Sequence, residues 1–349
     1  MIITGELEKN KIIVTKSKDI GRLYNKSHIG EILSDNILEL YLIESVFLLD
    51  EGKIKIFYKK KEVDFENLVK NASKKIKDFE IKYLVFKDLR KRGQIVKLCK
   101  KEESFDFYKF QTKEGNEKTF FVCVFSERDL FDIEKTRSFL ENISENCQLW
   151  FAIVDDEGDI TYYSVSFADL KGKNKSKSFG KNQGVFLEER VLVFDEQKSE
   201  DLFNKEFFGK PFGPALQLSF VEVLYLLEKK YISLKDIYEK KISKDKFLKI
   251  AKRAQPDIIS KLKVFKDLKE KGLIVKTGFK FGTHFRVYTS HPDKIHAEYL
   301  VHILKKDSAT VWAEFSRAVR LAHSVNKEIV FARLINNNIE YISFGRLRP

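Results

Sequence analysis

The chain repeats itself after about 179 residues, and this duplication limits its possible folds more than any other feature. The run GELEKNKIIV at positions 5–14 returns as GVFLEERVLV at positions 184–193, with the same glycine ahead of a similar apolar pattern. The run VFKDLRKRGQIVK at positions 85–97 returns as VFKDLKEKGLIVK at positions 264–276. Because both matches keep their order, the sequence predicts two copies of one fold.

Apolar periodicity predicts a similar series of elements in each copy. An opening strand pair precedes amphipathic helices, which we place at 65–77 and at 234–253. A further helix at 264–272 ends at a glycine. The remaining predicted elements are strands at 285–288 and 299–304, a helix at 310–324 and a hairpin of 329–334 with 339–343. Each half is therefore a small αβ domain followed by a compact α/β domain with a mixed sheet, so the fold class is mixed α/β with a tandem duplication.

The composition favours a soluble protein with an anionic polymer as its partner. Lys and Arg number 65 against 52 Asp and Glu, a net charge of +13 that points to nucleic acid, with a Lys/Glu-rich solvated surface as the alternative. No run reaches the roughly 18 apolar residues of a membrane helix, and the N-terminus lacks the pattern of a signal peptide. We therefore expect a cytoplasmic protein that does not contact membranes.

The cysteines do not indicate a metal site. Cys99, Cys123 and Cys147 lack a C-x-x-C pair, so neither a disulfide framework nor a zinc ribbon is supported. We interpret all three as small buried apolar residues.

Ionisable chemistry is concentrated in the second copy. Five of the chain's six histidines lie there, namely His284, His291, His296, His302 and His323. Three runs of this copy resemble the tRNA-splicing endonucleases, also called tRNA-intron lyases. They are KTGFKFGTHFRVY at 276–288, HAEYLV at 296–301 and RLAHSVNK at 320–327, in the order and at the spacings of the family. The resemblance implies an RNA endonuclease that removes introns from precursor tRNA.

The resemblance places the family's catalytic tyrosine at Tyr288, its histidine at His296 and its lysine at Lys327. Cleavage of RNA without a metal needs a base for the ribose 2′-hydroxyl, an acid for the departing 5′-oxygen and a cation for the charged phosphate. In the implied mechanism Tyr288 acts on the 2′-hydroxyl, His296 protonates the leaving group and Lys327 stabilises the transition state. The products would be a 2′,3′-cyclic phosphate and a 5′-hydroxyl, and no metal or cofactor is expected.

Each of these three residues also has an ordinary alternative role: a packed strand-end tyrosine, a surface histidine and a solvated lysine. A phenol is a poor base at neutral pH unless nearby cations lower its pKa, whereas an imidazole needs little adjustment. Found together in one set of motifs, the three favour catalysis. Two departures from a frequent family form are the short loop from Tyr288 to His296 and the presence of Asn326 where a basic residue often precedes the lysine.

The first copy lacks this chemistry. Counting back by 180 residues puts Tyr108 at the place of the tyrosine and Cys147 at the place of the lysine. Counting back by 179 or 180 puts Glu117 or Asn116 at the place of the histidine. We therefore expect the first copy to keep the fold and to lack catalysis.

The final hairpin of the first copy has four acids at its tip, where the second copy has three asparagines, Asn336 to Asn338. The acids are Asp155, Asp156, Glu157 and Asp159. An ordinary Asp/Gly-rich turn is one interpretation, whereas a calcium loop is excluded because the EF-hand spacing is absent. In the family such a loop docks into a basic pocket of the partner subunit, so the resemblance implies that these four are assembly residues.

Intron removal needs two cuts, and one chain offers one triad. The resemblance therefore implies a symmetric homodimer of the double-length class. Its substrate would be a precursor tRNA folded as a bulge-helix-bulge, whose unstacked nucleotides can be gripped. Arg320 and Arg346 are candidates to hold a bulged base, with a solvated helix face and a frayed basic tail as their respective alternatives. Lys280 and Arg286 are candidates for phosphate contact, with simple exposure to solvent as the alternative.

The repeat and the resemblance together predict five segments. They are an N-terminal αβ domain at 1–80, a degenerate nuclease-like domain at 81–170, a polar Gly/Ser/Lys-rich linker at 171–183, an αβ domain at 184–258 and a catalytic nuclease domain at 259–349.

Two other functions are alternatives to an RNA endonuclease that removes introns. A non-catalytic RNA-binding or assembly subunit would explain the charge and the fold but not an intact triad. A metal-dependent nuclease would need clustered carboxylates near the catalytic strands, and the second copy offers none at convincing spacing.

Overall fold

The structure is a computed structural model that describes residues 2–34, 36–99, 105–113, 116–144, 146–174, 180–304, 310–335 and 338–349. Asn336, Asn337 and residues 175–179 of the predicted linker lie outside the described residues. The chain divides into two compact units. The first contains residues 1–165, 310–314 and 346–349, and the second contains residues 166–309 and 315–345.

The first unit begins with an αβ part built on a six-stranded sheet. Its strands are β1 (Ile3–Glu8), β2 (Lys11–Val14), β3 (Glu31–Ser34), β4 (Ile37–Tyr41), β5 (Ile54–Tyr58) and β6 (Lys61–Val63), and its helices are α1 (Ser17–Ile20), the π-helical turn Gly21–Lys26, α2 (Leu42–Asp50) and α3 (Phe65–Ser73). The strands lie in the order β3-β4-β2-β1-β5-β6, with β1 and β5 parallel. In β1 every second residue is buried, as expected for a strand on a one-sided core.

The rest of the first unit is a second α/β part. Its elements are α4 (Phe79–Lys91), β7 (Val96–Leu98), β8 (Phe107–Lys113), β9 (Asn116–Ser126), β10 (Leu130–Phe131), α5 (Ile133–Glu141), β11 (Cys147–Val154) and β12 (Ile160–Phe167). The strands lie in the order β7-β8-β9-β11-β12, and β9 and β11 are parallel, with α5 between them in the chain.

The second unit begins with the same arrangement of strands. Its elements are β13 (Asn182–Leu187), β14 (Arg190–Val193), α6 (Glu196–Glu206), β15 (Lys210–Phe212), β16 (Ala215–Leu218), α7 (Phe220–Glu228), β17 (Ile232–Asp236), β18 (Lys241–Ile242) and α8 (Lys244–Ala254). The order β15-β16-β14-β13-β17-β18 repeats that of β1 to β6, again with one parallel pair. The predicted tandem duplication and the mixed α/β class are confirmed.

The catalytic part predicted for the second copy completes the chain. Its elements are α9 (Ile258–Glu270), β19 (Ile274–Thr277), the 3₁₀ turn Phe279–Phe281, β20 (Phe285–Tyr288), β21 (Tyr299–Leu304), β22 (Thr310–Val311), α10 (Trp312–Ser324), β23 (Glu328–Ile335) and β24 (Asn338–Leu347). The strands lie in the order β19-β20-β21-β23-β24, with β21 and β23 parallel. The short strand β22 belongs to the first unit, where it pairs with β10.

One predicted helix is wrong over half its length. Residues 234–243, expected as the start of a helix, form β17, a turn and β18, and Ile237 is exposed. The side chain of Asp236 accepts hydrogen bonds from the amides of Tyr238 and Lys240, which closes a turn that a helix would not allow. The helix starts only after Ser243, whose hydroxyl caps it by accepting from the Lys246 amide.

In the second unit the αβ part and the catalytic part share one hydrophobic core. Phe265 on α9 has its ring centre 5.5 Å from that of Tyr225 on α7 and 6.0 Å from that of Phe285 on β20. Aromatic pairs at these distances are in packing contact. The core therefore fixes β20, the strand that ends at Tyr288, to the helices on which it packs.

Candidate active site

Three strand ends meet where the catalytic residues were predicted. The amide of Glu298 donates to the carbonyl of Val287 at 3.1 Å, and the amide of Glu328 donates to the carbonyl of Glu298 at 2.9 Å. Tyr288 directly follows Val287, and Lys327 directly precedes Glu328. His296 lies two positions before Glu298, so the backbones of the three predicted catalytic residues lie at one edge of neighbouring strands.

Tyr288 is held by packing. Its side chain is 8% exposed and lies in a small cluster with Ile274, Ala297 and Phe207. Ala297 is the neighbour of His296, so the ring packs against the segment that carries the histidine. The guanidinium carbon of Arg286 lies 6.0 Å from the centre of the ring, within reach of a cation–π interaction. A cation therefore stands beside the phenol.

His296 is exposed on a short loop that is tied down at several points. The amides of Lys294 and Ile295 both donate to the carbonyl of His291. The hydroxyl of Thr289 donates to the Glu298 carboxylate at 2.7 Å. The eight positions from Tyr288 to His296 thus contain one hydrogen-bonded turn, and His296 lies three residues before the start of β21.

Lys327 follows the end of α10. Its ammonium donates to the carbonyl of Val325 at 3.2 Å and lies 5.7 Å from the ring centre of Phe281. Asn326 has φ 52°, and its amide donates to the carbonyl of His323 as the helix ends. Asparagine adopts this left-handed conformation more readily than most residues, so Asn326, noted in the sequence for its missing charge, has a backbone role beside the lysine.

The other predicted RNA contacts differ in their surroundings. Lys280 lies 4.9 Å from the ring centre of Phe281, the same ring that Lys327 approaches, so two ammonium groups flank one aromatic side chain. Arg286 is half-buried, and its Nε is buried without a hydrogen-bond partner among the described residues. Arg320 is exposed on α10, and Arg346 is exposed on β24 within the first unit.

The acidic hairpin of the first unit is a tight turn between β11 and β12. One oxygen of Asp155 accepts from the amides of Glu157, at 3.0 Å, and Asp159, at 2.8 Å. The Asp156 carboxylate pairs with Arg128 at 2.5 Å. Asp155 therefore shapes the turn and Asp156 is partly neutralised, while Glu157 and Asp159 are exposed.

Sheet register corrects one residue equivalence between the copies. Arg286 pairs with Leu300, and in the first unit Tyr108 pairs with Phe121, the residue that the repeat equates with Leu300. Tyr108 therefore stands where the second copy has Arg286, and the place of Tyr288 falls on Phe110. The sequence comparison used a displacement of 180 residues, whereas the sheet register relates β8 to β20 by a displacement of 178. The sequence-based equivalence was therefore wrong by two residues.

For the places of Lys327 and His296 in the first copy, the sheet register agrees with the sequence comparison. Phe120 pairs with Gln148 as Tyr299 pairs with Glu328, so Cys147 stands at the place of Lys327. Counting back from the same pair puts Glu117 at the place of His296; the side chains of Glu117 and Asn116 lie outside the described residues.

Two contacts that support the site were not foreseen from the sequence. The amide of Lys173, in the predicted linker, donates to the carbonyl of Thr289 at 2.9 Å and so fixes the residue after Tyr288. The Lys276 ammonium, on the strand beside β20, donates to the carbonyl of Gly209. The contact of Lys173 uses only backbone atoms and leaves no signal in side-chain patterns. The contact of Lys276 did leave a signal, because the repeat has a lysine at this position in both copies.

The described residues contain no group of three or more His, Cys, Asp or Glu side chains placed to hold a metal ion. No helix in the described part of the chain is long and apolar enough to cross a membrane.

Two copies of an αβ domain and a mixed-sheet domain, with the predicted triad only in the second copy, define a duplicated α/β nuclease. The family model described as tRNA intron endonuclease, catalytic C-terminal domain, matches residues 79–162 and again 258–341. The model described as tRNA intron endonuclease, N-terminal domain, matches residues 3–69 and 182–248. The chain belongs to the tRNA intron endonuclease family and is an endonuclease, as the sequence motifs predicted.

Similarity to individual tRNA-splicing endonucleases extends over the whole chain. The chain is 40% identical to the tRNA-splicing endonuclease of Methanococcoides burtonii, with 99% of each chain covered, and 34% identical to that of Methanosarcina mazei, again with 99% of each covered. The tRNA-splicing endonuclease of Methanococcus maripaludis is 34% identical over 46% of this chain and 92% of its own length. A nearly complete relative thus corresponds to less than half of this chain, in agreement with the duplication.

Proposed function

We propose that this endonuclease cuts precursor tRNA at bulge-helix-bulge intron boundaries without a metal ion, leaving 2′,3′-cyclic phosphate and 5′-hydroxyl ends. The observation that carries the proposal is the hydrogen-bonded meeting of Val287, Glu298 and Glu328, which brings the backbones at Tyr288, His296 and Lys327 to one edge. A metal-free transfer of the phosphate to the 2′-hydroxyl requires a base, an acid and a cation, and phenol, imidazole and ammonium can fill these three roles.

Each of the three groups has one task in the proposed reaction. Tyr288 takes the proton of the 2′-hydroxyl, which attacks the adjacent phosphorus and closes the cyclic phosphate. The bond from phosphorus to the 5′-oxygen breaks, and His296 delivers the proton that this oxygen needs. Lys327 faces the extra negative charge on the phosphate oxygens, where a cation lowers the barrier.

Four basic residues are proposed to contact the RNA. Arg320 and Arg346 are proposed to grip a bulged base by stacking, and Lys280 and Arg286 to contact phosphate. The Phe281 ring supports the role of Lys280, because the ammonium groups of Lys280 and Lys327 lie 4.9 Å and 5.7 Å from its centre. The guanidinium of Arg286, 6.0 Å from the centre of the Tyr288 ring, supports the role of Arg286, because it puts a cation beside the group that acts on the 2′-hydroxyl.

The proposed active assembly is a homodimer. A precursor tRNA has two intron boundaries and each chain has one predicted triad, so two chains supply two sites. The acids Asp155, Asp156, Glu157 and Asp159 are proposed to dock on a basic surface of the partner chain. The division of the chain into five segments and its cytoplasmic location stay predictions.

The proposal is tested by cleavage of a bulge-helix-bulge RNA in excess chelator. The native protein is compared with His296→Asn, which cannot deliver a proton, and with His28→Asn as the matched control. His28 is an exposed histidine of the first unit with φ 52°, a conformation that asparagine also adopts. We expect a loss of about 100-fold or more for His296→Asn and none for His28→Asn.

The chemistry of the new ends decides between mechanisms. Cyclic-phosphate ends resist phosphatase until the ring is opened, and a 2′-deoxy substitution at the cut site abolishes the reaction. Cutting that requires a metal ion would overturn the proposed mechanism. Binding without cutting, with or without a metal ion, would instead support the non-catalytic alternative.

A further inference from the structure

A cavity of about 660 Å³ opens on the second unit. Its walls come from β14, β16, the start of α7, the residue that follows α8, α9, and β19 and β20 with the turn that connects them. The lining residues that matter here are Arg190, Gln217, Gln255, Lys261 and Phe279. Aromatic, amide and basic side chains are the set that nucleotides engage, through the base face, the base edge and the phosphate. We call this cavity the Phe279 pocket.

Phe279 is the most exposed large apolar side chain in the described part of the chain, at 88%. Its turn is held by backbone hydrogen bonds from Phe281 to the Gly278 carbonyl, at 2.8 Å, and from Gly282 to the Phe279 carbonyl, at 3.0 Å. A fixed backbone therefore presents an aromatic face to solvent, at the mouth of the cavity. Single exposed apolar residues are common, so exposure of Phe279 alone does not indicate a binding site. The polar groups around Phe279 distinguish it from such residues.

Several polar groups of the pocket have unused hydrogen-bonding capacity. The amide side chains of Gln217 and Gln255 make no hydrogen bond to any residue that the structure describes. Arg190 donates one hydrogen bond, to the Glu189 carbonyl at 2.9 Å, which leaves most of its guanidinium donors for a ligand. Lys261 is already paired with Asp257 at 3.0 Å, so Arg190 is the cation that a phosphate would meet first.

The pocket adjoins the candidate active site through a single turn. Phe279 faces the pocket, and Phe281, two residues later, lies under the ammonium groups of Lys280 and Lys327. Phe279 therefore lies two positions, on one turn, from the ring that Lys327 approaches. The neighbouring ligand best matched to this pocket is another nucleotide of the RNA strand proposed to bind at the candidate active site.

We propose that the Phe279 pocket binds one unpaired nucleotide of the RNA substrate. Its base stacks on Phe279, its edge accepts and donates hydrogen bonds with Gln217 and Gln255, and its phosphate pairs with Arg190. The inference depends on the proposed function in that the RNA is the strand cut at the neighbouring site. It adds a contact that positions the substrate beside the triad.

Binding of an uncleavable RNA tests the inference separately from the reaction. The probe is a bulge-helix-bulge RNA with 2′-deoxy residues at both cut sites, titrated at fixed salt against the full-length protein. Phe279→Ala weakens binding about 10-fold, the range expected for one lost stacked base. Phe279→Leu, which keeps an apolar side chain of similar size, is as weak as alanine, and Phe279→Tyr binds like the native protein.

Two further variants make the test specific. Tyr238→Ala removes an aromatic side chain of the same unit that is 83% exposed but does not line the pocket, and it leaves binding unchanged. Arg190→Gln lowers the slope of log affinity against log salt by about one, as for one lost phosphate contact. Native affinity in Phe279→Ala, full binding by Phe279→Leu, or an equal loss in Tyr238→Ala each overturn the inference.

Failure of the proposed function looks different. The native protein could bind the uncleavable RNA more tightly than Phe279→Ala and Phe279→Leu do, and yet fail to cut the all-ribose RNA. This result would support the nucleotide pocket and overturn the proposed reaction. If the native protein cuts normally and Phe279→Ala leaves both KM and affinity unchanged, the reaction stands and the pocket does not.

Discussion

The ammonium of Lys276 donates a hydrogen bond to the carbonyl oxygen of Gly209 at 2.6 Å, and so ties β19 to the loop before β15. The amide of the same glycine donates to the Glu222 carboxylate at 2.8 Å. Burial lowers the pKa of Lys276, because the charged form loses hydration that the single carbonyl replaces only in part. Glutamate, glycine and lysine thus form a clamp between the αβ part and the catalytic part of the second unit.

The first unit contains the same clamp. Lys97 donates to the carbonyl of Gly30 at 2.7 Å, and the amide of Gly30 donates to Glu44 at 3.0 Å. Burial raises the pKa of Glu44 to about 7. Both glycines have positive φ, 63° for Gly209 and 79° for Gly30, which other residues rarely adopt. The duplication therefore supplies a matched pair of lysines with the same contacts, one beside the predicted triad and one in the copy without it.

We predict that Lys276→Met and Lys97→Met have similar effects on stability and different effects on activity. Methionine keeps the apolar stem and removes the donor, which leaves a glycine carbonyl unsatisfied and costs about 2 kcal/mol in each unit. Only Lys276→Met should slow RNA cleavage, because Lys276 pairs in register with Arg286 on the strand that ends at Tyr288. Urea unfolding and single-turnover cleavage measure the two effects.

This prediction fails if both variants slow cleavage equally, since the effect would then be a general loss of fold. It also fails if neither variant loses stability, because the clamp would then contribute nothing.

The triad of Tyr288, His296 and Lys327 stays a prediction, and the structure brings the backbones at these residues to one edge. The sequence predicted the duplication, because the runs that show it recur along the chain. It did not predict the clamp, since Lys276 and Gly209 are 67 positions apart and their contact depends on how the chain returns. It also placed a helix over residues 234–243. There the apolar residues suit a helix as well as a strand, and only the turn centred on Asp236 decides between them. The equivalence of Tyr108 failed for a similar reason, because sheet register is set by pairing between distant segments.

Tyr288→Phe should lower the cleavage rate by about 100-fold or more, whereas Tyr108→Phe should leave it within about twofold. The ring of Tyr288 packs against Ile274 and Ala297, and phenylalanine keeps this packing while losing the hydroxyl. Tyr108 stands at the place of Arg286 and so serves as a tyrosine control in the other copy. Single-turnover cleavage with protein in excess gives the rate of the chemical step.

Thermal unfolding of both variants is the necessary companion measurement. A large loss of rate in Tyr288→Phe at unchanged melting temperature supports a direct role of the phenol. An equal loss in Tyr108→Phe, or full activity in Tyr288→Phe, would contradict the assignment of the base.

The acidic hairpin should contribute to assembly chiefly through Glu157 and Asp159. These two are exposed, whereas Asp155 accepts two backbone amides of its own turn and Asp156 is paired with Arg128. We expect the double variant Glu157→Lys/Asp159→Lys to shift the protein from dimer to monomer in sedimentation, because charge reversal turns attraction to a basic surface into repulsion.

The matched control is Glu6→Lys/Glu8→Lys, which reverses the charge of two exposed acids on β1 in the same unit, outside the hairpin. It should leave the sedimentation coefficient unchanged. A native protein that sediments as a monomer would sink the proposed dimer itself, and a Glu157→Lys/Asp159→Lys variant that remains dimeric would remove the hairpin from the interface.

His284 should make the second unit sensitive to acid. Its Nδ1 accepts a hydrogen bond from the Ile303 amide at 3.0 Å, so the neutral ring carries its proton on Nε2, which lies 3.4 Å from the Asp257 carboxylate. The other ionisable groups around the ring are His302, with ring centres 4.6 Å apart, and Lys261. Burial, helped by these two groups, lowers the pKa of His284 to about 4, and burial also lowers that of His302.

A depressed histidine pKa means that the unfolded chain binds more protons than the folded chain between pH 6.5 and about 4. The stabilisation from a neutral His284 is therefore complete above pH 6.5 and is lost as the pH falls towards 4, by about 3 kcal/mol at most. In His284→Asn the amide oxygen can still accept from Ile303 but does not titrate, so the unfolding free energy should fall less steeply over this range. Urea unfolding at intervals from pH 4 to pH 8 measures the difference, with His28→Asn, at an exposed site, expected to follow the native curve. Parallel curves for the native protein and His284→Asn would show that protonation of this ring does not govern the acid response, because a group that titrates on unfolding must change the slope when it is removed.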